Sequence, residues 1–342
     1  MKERQRLALA MIMAIGVGFG ESGLLEAQDQ QQLFTKSAEL MGVQFRISLY
    51  ADNEKQAESA CNLAFARIAE LESKLSNYQD DSELNRLCRS DTPVVVSDDL
   101  WFVLKESLFY WELSDGAFDV TIGRVTRLWR RARRLRELPG KARIKEEVQF
   151  VGSHYLELNL EKQMVTISKP GLLIDLGAIG KGYAADQALE VLRAQGLPSS
   201  VINASGDVLF GDAPPGKKGW PAAVVGLNPE ADPLLLELQA NCAIATSGSA
   251  YQHLEVDGKR YSHIIDPRSG LALEGSSSVS VLAPTGLESD ALASAISVLG
   301  PKIGSKLVRQ LPSTEFFAVF QRNSRKPAVD YRSAGFPLKY KK

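Results

Sequence analysis

The stretch Gly171-Leu-Leu-Ile-Asp-Leu-Gly-Ala-Ile-Gly-Lys-Gly-Tyr-Ala-Ala-Asp-Gln-Ala-Leu-Glu-Val-Leu-Arg-Ala-Gln-Gly196 changes its hydrophobic period midway. Gly171 to Leu176 reads as a buried strand, Tyr183 to Gly196 as a helix, and Gly177, Gly180 and Gly182 as the turn between them. A strand, a glycine-rich loop and a helix opening at Gly182 form an anion cradle. The first N–H groups of the helix point at whatever sits there, and Lys181 adds a full positive charge. The spacing is neither a Walker loop nor a dinucleotide fingerprint. The same glycines would also serve a tight turn with no ligand.

Three further polar knots follow strand-like runs: Asn203-Ala-Ser-Gly-Asp207, Ala245-Thr-Ser-Gly248 and Ser262-His-Ile-Ile-Asp-Pro267. Beyond them Glu288-Ser-Asp-Ala-Leu-Ala-Ser-Ala-Ile-Ser-Val-Leu-Gly300 reads as an amphipathic helix. In that helix Asp290 and Ser294 stand four apart, which puts a carboxylate and a hydroxyl on one face, one turn from each other. Such a hard-oxygen pair suits Mg²⁺, which keeps positions open for phosphate oxygens. Solvated surface is the plainer reading of the pair taken alone.

Working outward, Phe34 to Tyr50 reads as strand broken at Met41-Gly42, and Ala57 to Leu75 as a long amphipathic helix. Ser82 caps a short helix, and Asp98 or Asp99 caps another that runs to Leu113. Tyr155–Leu160 and Met164–Ser168 form a hairpin. Strands follow at Ser200–Asn203, Ala222–Gly226, Leu234–Leu238, Ala243–Ala245, His253–Val256 and Ser277–Leu282. After the Asp290 helix come a helix at Lys302–Leu311, a strand at Glu315–Gln321 and a basic tail. No repeat or low-complexity linker divides the mature chain. The expectation is one α+β domain over 28–342, a mixed or antiparallel sheet with packed helices.

The composition of the 342 residues, 44% hydrophobic and 24% charged with a net charge of −1, is that of a soluble globular protein with no call for nucleic acid as partner. The segment Arg124–Lys145 is locally basic, as a solvated helix face and loop would be, or as a dock for an acidic partner or lipid headgroups. Lys2, Arg4 and Arg6 before the apolar run Leu7–Gly20, with small residues up to Ala27, read as a signal peptide over 1–27; the run falls short of the about 20 apolar residues that span a bilayer. Export is expected, to the periplasm or the outer face of the inner membrane. Cys61, Cys88 and Cys242 are scattered and odd in number, and the three histidines lack zinc spacing. Of these histidines only His263 sits in a polar motif, three residues before Asp266. Tyr78, on a polar turn, either stacks on a flat ring or staples the turn.

Taken in order, these segments resemble the ApbE family of FAD:protein FMN transferases. The resemblance is carried by Met41-Gly, Leu75-Ser-Asn-Tyr-Gln-Asp-Asp-Ser-Glu-Leu84, Gly116-Ala-Phe-Asp-Val-Thr-Ile-Gly123 with Leu128-Trp129, Asp175 to Tyr183, Ser205-Gly-Asp207, Ala245-Thr-Ser-Gly248, Arg260 to Gly270, and Asp290 to Ser294. It implies an α+β flavin-transferase fold. It places FAD contacts at Met41, Tyr78, Ala117, Phe118, Asp119, Asp175, Lys181 and Ile264. It places Mg²⁺ on the Ala178 carbonyl, Asp290 and Ser294. Lys181 and Asp290 are then expected to act on the pyrophosphate. His263, the one histidine in a family motif, is expected to take the proton of an attacking hydroxyl as a base of intermediate pKa. The competing view has His263 shaping the pocket beside Ile264, with Asp266 or no protein base taking the proton. The chain departs from the family pattern in having Ser294 for the usual threonine, Ala293 for an aspartate present in some members, Gly180 before the lysine, Ser249 after Thr246-Ser-Gly248, and Arg130-Arg131 where Gly-Phe is usual.

The resemblance further implies Mg²⁺-dependent transfer of FMN from FAD to a threonine hydroxyl of an acceptor flavoprotein, releasing AMP. The acceptors would be proteins with a threonine flavinylation motif, commonly subunits of membrane redox complexes. Two other outcomes use the same residues: hydrolysis of FAD to FMN and AMP, and FAD carriage without turnover.

Overall fold

The fold is described from a computed structural model covering residues 31–339, apart from 229, 250–251 and 322–325. The leader read at 1–27 lies outside the described residues. In chain order the strands are β1 Gln32–Leu40, β2 Val43–Ala51, β3 Val94–Val95, β4 Leu156–Asn159, β5 Met164–Ile167, β6 Ser200–Ala204, β7 Asp207–Phe210, β8 Ala223–Val224, β9 Leu234–Leu235, β10 Cys242–Gly248, β11 His253–Val256, β12 Lys259–Asp266, β13 Leu271–Glu274, β14 Ser276–Ala283, β15 Glu315–Gln321 and β16 Val329–Arg332. The helices are α1 Glu54–Leu75, α2 Glu83–Cys88, α3 Asp98–Leu113, α4 Gly123–Leu135, α5 Lys141–Val148, α6 Gly180–Ala194, α7 Gly286–Leu299 and α8 Pro301–Val308.

Alternation of side chains builds the main sheet, an antiparallel eight-stranded layer ordered β1-β2-β6-β7-β10-β14-β15-β16. One face carries Phe45, Ile47, Leu49, Ile202, Leu209, Ala243, Val279, Val281 and Phe316 into a core shared with α1, α6 and α7. The opposite face sends Phe210, Ile244 and Phe317 into a second core closed by Trp220, Leu236 and Phe336. The period-2 pattern thus feeds two cores from one sheet. Helix α1 buries Ala57, Ala60, Cys61, Ala64, Ile68, Leu71 and Leu75 as a stripe of helical period, and Asn53 caps it by accepting from the Gln56 N–H at 3.0 Å. A third core packs Val125, Trp129 and Ala132 of α4 against Leu254, Ile265 and Ala272 of the small sheet β11-β12-β13.

Two local expectations are corrected. Residues 171–176 are buried in alternation but join no ladder. Leu173 makes a single bridge to Ile122, and the Asp175 N–H donates to the Val120 carbonyl at 2.7 Å. Burial satisfies the apolar pattern there without a strand. The cap of α3 is Ser97, whose Oγ accepts from the Leu100 N–H at 3.4 Å. Asp99 instead turns inward to Arg67, to Lys74 at 2.7 Å and to the Tyr183 hydroxyl at 2.7 Å, tying α3 to α1 and α6. Burial opposes its charge, but these donors outweigh burial and hold its pKa down to about 2.

Candidate active site

Two glycines decide where the charged groups fall. Helix α6 begins at Gly180, two residues before the sequence reading, so Lys181 and Gly182 lie in its first turn. Gly182 there meets Gly286, the first residue of α7. A methyl group on Gly182 would fall on the Gly286 carbonyl and within 2.7 Å of the Leu287 nitrogen. Asp186, one turn along α6, accepts from the N–H groups of Gly286 at 2.6 Å and Leu287 at 2.9 Å, and Thr285 caps α7 by accepting from the Glu288 N–H at 3.2 Å. Burial pushes the Asp186 pKa up to about 7 against these two donors. The crossing brings residues 181 and 290 together although they are far apart in sequence.

At the crossing the Lys181 ammonium lies 3.3 Å from Asp290 Oδ2, 3.2 Å from Asp207 Oδ2 and 3.3 Å from the Gly177 carbonyl. The Gly182 N–H also donates to Asp290 Oδ2, at 3.2 Å. Burial, with Asp207 adding to it, raises the Asp290 pKa to about 6 despite the lysine. Burial works against the charge on Lys181 as well, but Asp290 and Asp207 outweigh it and raise its pKa.

Asp290 Oδ1 accepts no hydrogen bond among the described residues, and Ser294 lies one turn on with its Oγ 3.3 Å from Ser247 Oγ. No cluster of three His, Cys, Asp or Glu side chains able to hold a metal occurs among the described residues. The donor set is therefore a carboxylate oxygen, a hydroxyl and, beside Lys181, the Gly177 carbonyl of the loop that carries Ala178. That chemistry fits Mg²⁺, which takes few protein oxygens and keeps waters or phosphates for the rest.

The remaining expected residues separate into two kinds. Met41 sits at φ +51° in the β1–β2 turn, and its methyl lies 3.8 Å from where a Gly180 Cβ would stand, beside the loop. Asp175 Oδ1 accepts from the Gly177 N–H at 3.0 Å, and Oδ2 accepts from Arg130 at 2.9 Å. The same guanidinium lies 4.5 Å above the Tyr78 ring, which is otherwise 74% exposed. Ile264 is buried next to His263. Ala117 and Phe118 are buried, Phe118 edge-on to Tyr110. The Asp119 carboxylate accepts from the Thr121 N–H and hydroxyl and from the Ser153 N–H and hydroxyl at 2.6–3.0 Å. The side chains of Phe118 and Asp119 hold the fold, and the N–H groups of Ala117 and Phe118 donate to the Ser114 carbonyl at 3.2 Å and hydroxyl at 2.9 Å.

His263 lies within β12. Its Nδ1 is 3.2 Å from the Gln252 carbonyl, which can only accept, so Nδ1 carries the proton and Nε2 the lone pair. Burial, then the charges of Arg133 and Lys181, pull its pKa down to about 4 against that hydrogen bond. The ring is neutral near pH 7. Asp266, the other candidate proton acceptor, is bonded through both oxygens to Arg268 at 2.9 and 3.0 Å.

Sequence reading missed the roles of Asp186, Gly286 and Asp207. The Ser205-Gly-Asp207 motif was visible, but its partner Lys181 is reached only through the fold. A cavity of about 390 Å³ along the other flank of α6 is lined by Asp186, Glu190 and Glu288 and includes neither Lys181, Asp290 nor His263. It is not part of this constellation.

A sequence profile of the ApbE family matches residues 41–318. The chain is 28% identical over 330 residues to the FAD:protein FMN transferase of Treponema pallidum, covering 91% of this chain and 90% of the relative. To the protein of the same name from Haemophilus influenzae it is 29% identical over 305 residues, with 81% and 84% covered. The flavin transferase ApbE of Vibrio cholerae superposes with a TM-score of 0.78 at 25% identity, over 90% of this chain and 98% of that one.

Proposed function

The chain belongs to the ApbE family of flavin-transferring enzymes, and from that premise we propose that it moves the FMN half of FAD onto a threonine hydroxyl of an acceptor flavoprotein, releasing AMP. The observation that carries the reading is the convergence of Lys181 on Asp290 and Asp207 at the glycine loop, with Ser294 one turn from Asp290.

In this reading Lys181 and the first N–H groups of α6 hold the pyrophosphate. Asp290, Ser294 and the Ala178 carbonyl hold Mg²⁺, which when bound polarises the phosphate oxygens and stabilises the leaving group. Met41, Tyr78, Ile264, Asp175 and the segment 117–119 frame the flavin and ribityl portions. The acceptor Oγ forms its bond to the FMN phosphorus as the bond from that phosphorus to the oxygen of AMP breaks, and the hydroxyl proton passes to His263 Nε2. A low pKa makes His263 a weak base, adequate for a loose transition state in which little proton transfer has occurred. The leader-like segment at 1–27 supports export, where acceptors of membrane redox complexes would be met.

Incubation of the chain with FAD, Mg²⁺ and a threonine-motif acceptor tests the reading. In-gel fluorescence of the acceptor, lost with Asp290→Ala, is expected. Free FMN and AMP without covalent flavin would make the chain a hydrolase, and unchanged FAD a carrier.

A further inference from the structure

Helix α4 is fixed in rotation by Trp129, which is buried and donates its indole N–H to the Gly270 carbonyl at 2.9 Å. That rotation aims Arg130 at Asp175 and over Tyr78. Arg133 follows Arg130 by three residues and so lies on the same flank, one turn on. It is half-buried and makes no hydrogen bond or ion pair among the described residues. Its surroundings are cationic or neutral: Arg130, Tyr78 and, within reach of its charge, His263. Three other part-buried cations in this region are each matched by a carboxylate: Arg130 by Asp175, Arg124 by Glu147 at 2.5 Å, and Lys181 by Asp290 and Asp207. A part-buried guanidinium without a partner is costly unless a ligand supplies one.

Charge balance says which ligand. Asp290 and Asp207 outnumber Lys181 by one negative charge. A divalent cation on Asp290 turns this into one positive charge. The two phosphodiester charges of FAD then leave the site one cation short. We propose that Arg133 supplies that cation: it forms an anion subsite for the pyrophosphate oxygens of FAD on the α4 side of His263, and distinguishes the dinucleotide from uncharged flavin. The subsite rests on the flavin-transfer reading above. A guanidinium is suited to it because its planar donors engage phosphate oxygens in pairs.

The test is flavin fluorescence titration of the full chain with FAD and with riboflavin, in Mg²⁺, for Arg133→Gln, Arg133→Lys and the exposed control Arg131→Gln. Arg133→Gln weakens FAD by about ten- to hundredfold, the range of one hydrogen bond to a charged group, and leaves riboflavin within about twofold. Arg133→Lys recovers part of the loss, and Arg131→Gln changes neither ligand. Unchanged FAD affinity in Arg133→Gln overturns the subsite, including the case where only the acceptor KM rises. So does an equal loss for FAD and riboflavin, which would mark a structural role. A native chain that binds neither flavin overturns the transfer reading and the subsite together.

Discussion

Gly182→Ala isolates the contact that assembles the site. Alanine in a helix is favoured over glycine by about 1 kcal/mol, so propensity alone predicts a more stable protein. Packing predicts the reverse. The added methyl would sit on the Gly286 carbonyl and within 2.7 Å of the Leu287 nitrogen, both backbone atoms that no rotamer change can move. Helices α6 and α7 would have to part by about 1 Å, an overpacking strain of about 1–3 kcal/mol. The separation also stretches the bonds from Gly286 and Leu287 to Asp186, now 2.6 and 2.9 Å. Losing one charge-assisted bond adds about 1.5–3 kcal/mol. After the propensity gain, a net destabilisation of about 1.5–5 kcal/mol is expected. Denaturant unfolding reads it as a lower midpoint at unchanged slope. Flavin binding should weaken too, because Lys181 and Asp290, now 3.3 Å apart, move with their helices. A Gly182→Ala variant as stable as the native chain, or more so, refutes the argument: the crossing would then be soft, and the glycine a matter of propensity alone.

Three further outcomes follow from the charges. Asp290→Ala should fold, since it removes a carboxylate whose ionisation burial opposes, but should lose Mg²⁺-dependent transfer; Ser294→Ala should lose less, and full transfer by Asp290→Ala at limiting Mg²⁺ would remove the metal assignment. His263→Ala should lower single-turnover transfer by about 10²–10⁴-fold and abolish the acidic limb of its pH profile. The neutral ring is the active form, so the native rate falls as pH drops towards about 4; a loss confined to FAD affinity with the limb intact would leave His263 a binding residue. Asp186 has its folded pKa raised from 3.8 to about 7, so the stability it contributes is fully present below pH 3.8 and is lost as pH rises through about 7. The unfolding free energy of the native chain minus that of Asp186→Asn should therefore decrease across that window, and a flat difference would show the carboxyl to be ionised throughout.

How much of this was legible in the sequence depended on range. The α1 stripe and the alternation in β2 and β14 are local periodicities backed by burial, so they read directly. The buried run 171–176 shows where periodicity misleads: Leu172, Ile174 and Leu176 alternate inward as a strand would. Yet in place of a ladder the backbone makes isolated bonds to Val120, Gly123, Lys169 and Cys88 Sγ and one bridge to Ile122. Ser97 and Asp98-Asp99 are all competent caps. What decided between them was the pull of Arg67, Lys74 and Tyr183 on Asp99, which no local pattern contains. The site followed the same division. Asp290 and Ser294 could be paired from helical spacing alone, whereas the partnership of Lys181 with Asp207 and Asp290 needs the crossing of α6 and α7. The loop glycines read either as an anion cradle or as a tight turn, but Gly182 is required by a neighbouring helix. It has no positive φ, and its lack of a side chain serves the approach of Gly286. The Arg130-Arg131 departure was visible as an oddity, and only the fold shows that Arg130 lies between Tyr78 and Asp175. With that guanidinium already bonded to Asp175, the next arginine on the same flank, Arg133, is the one left for a ligand.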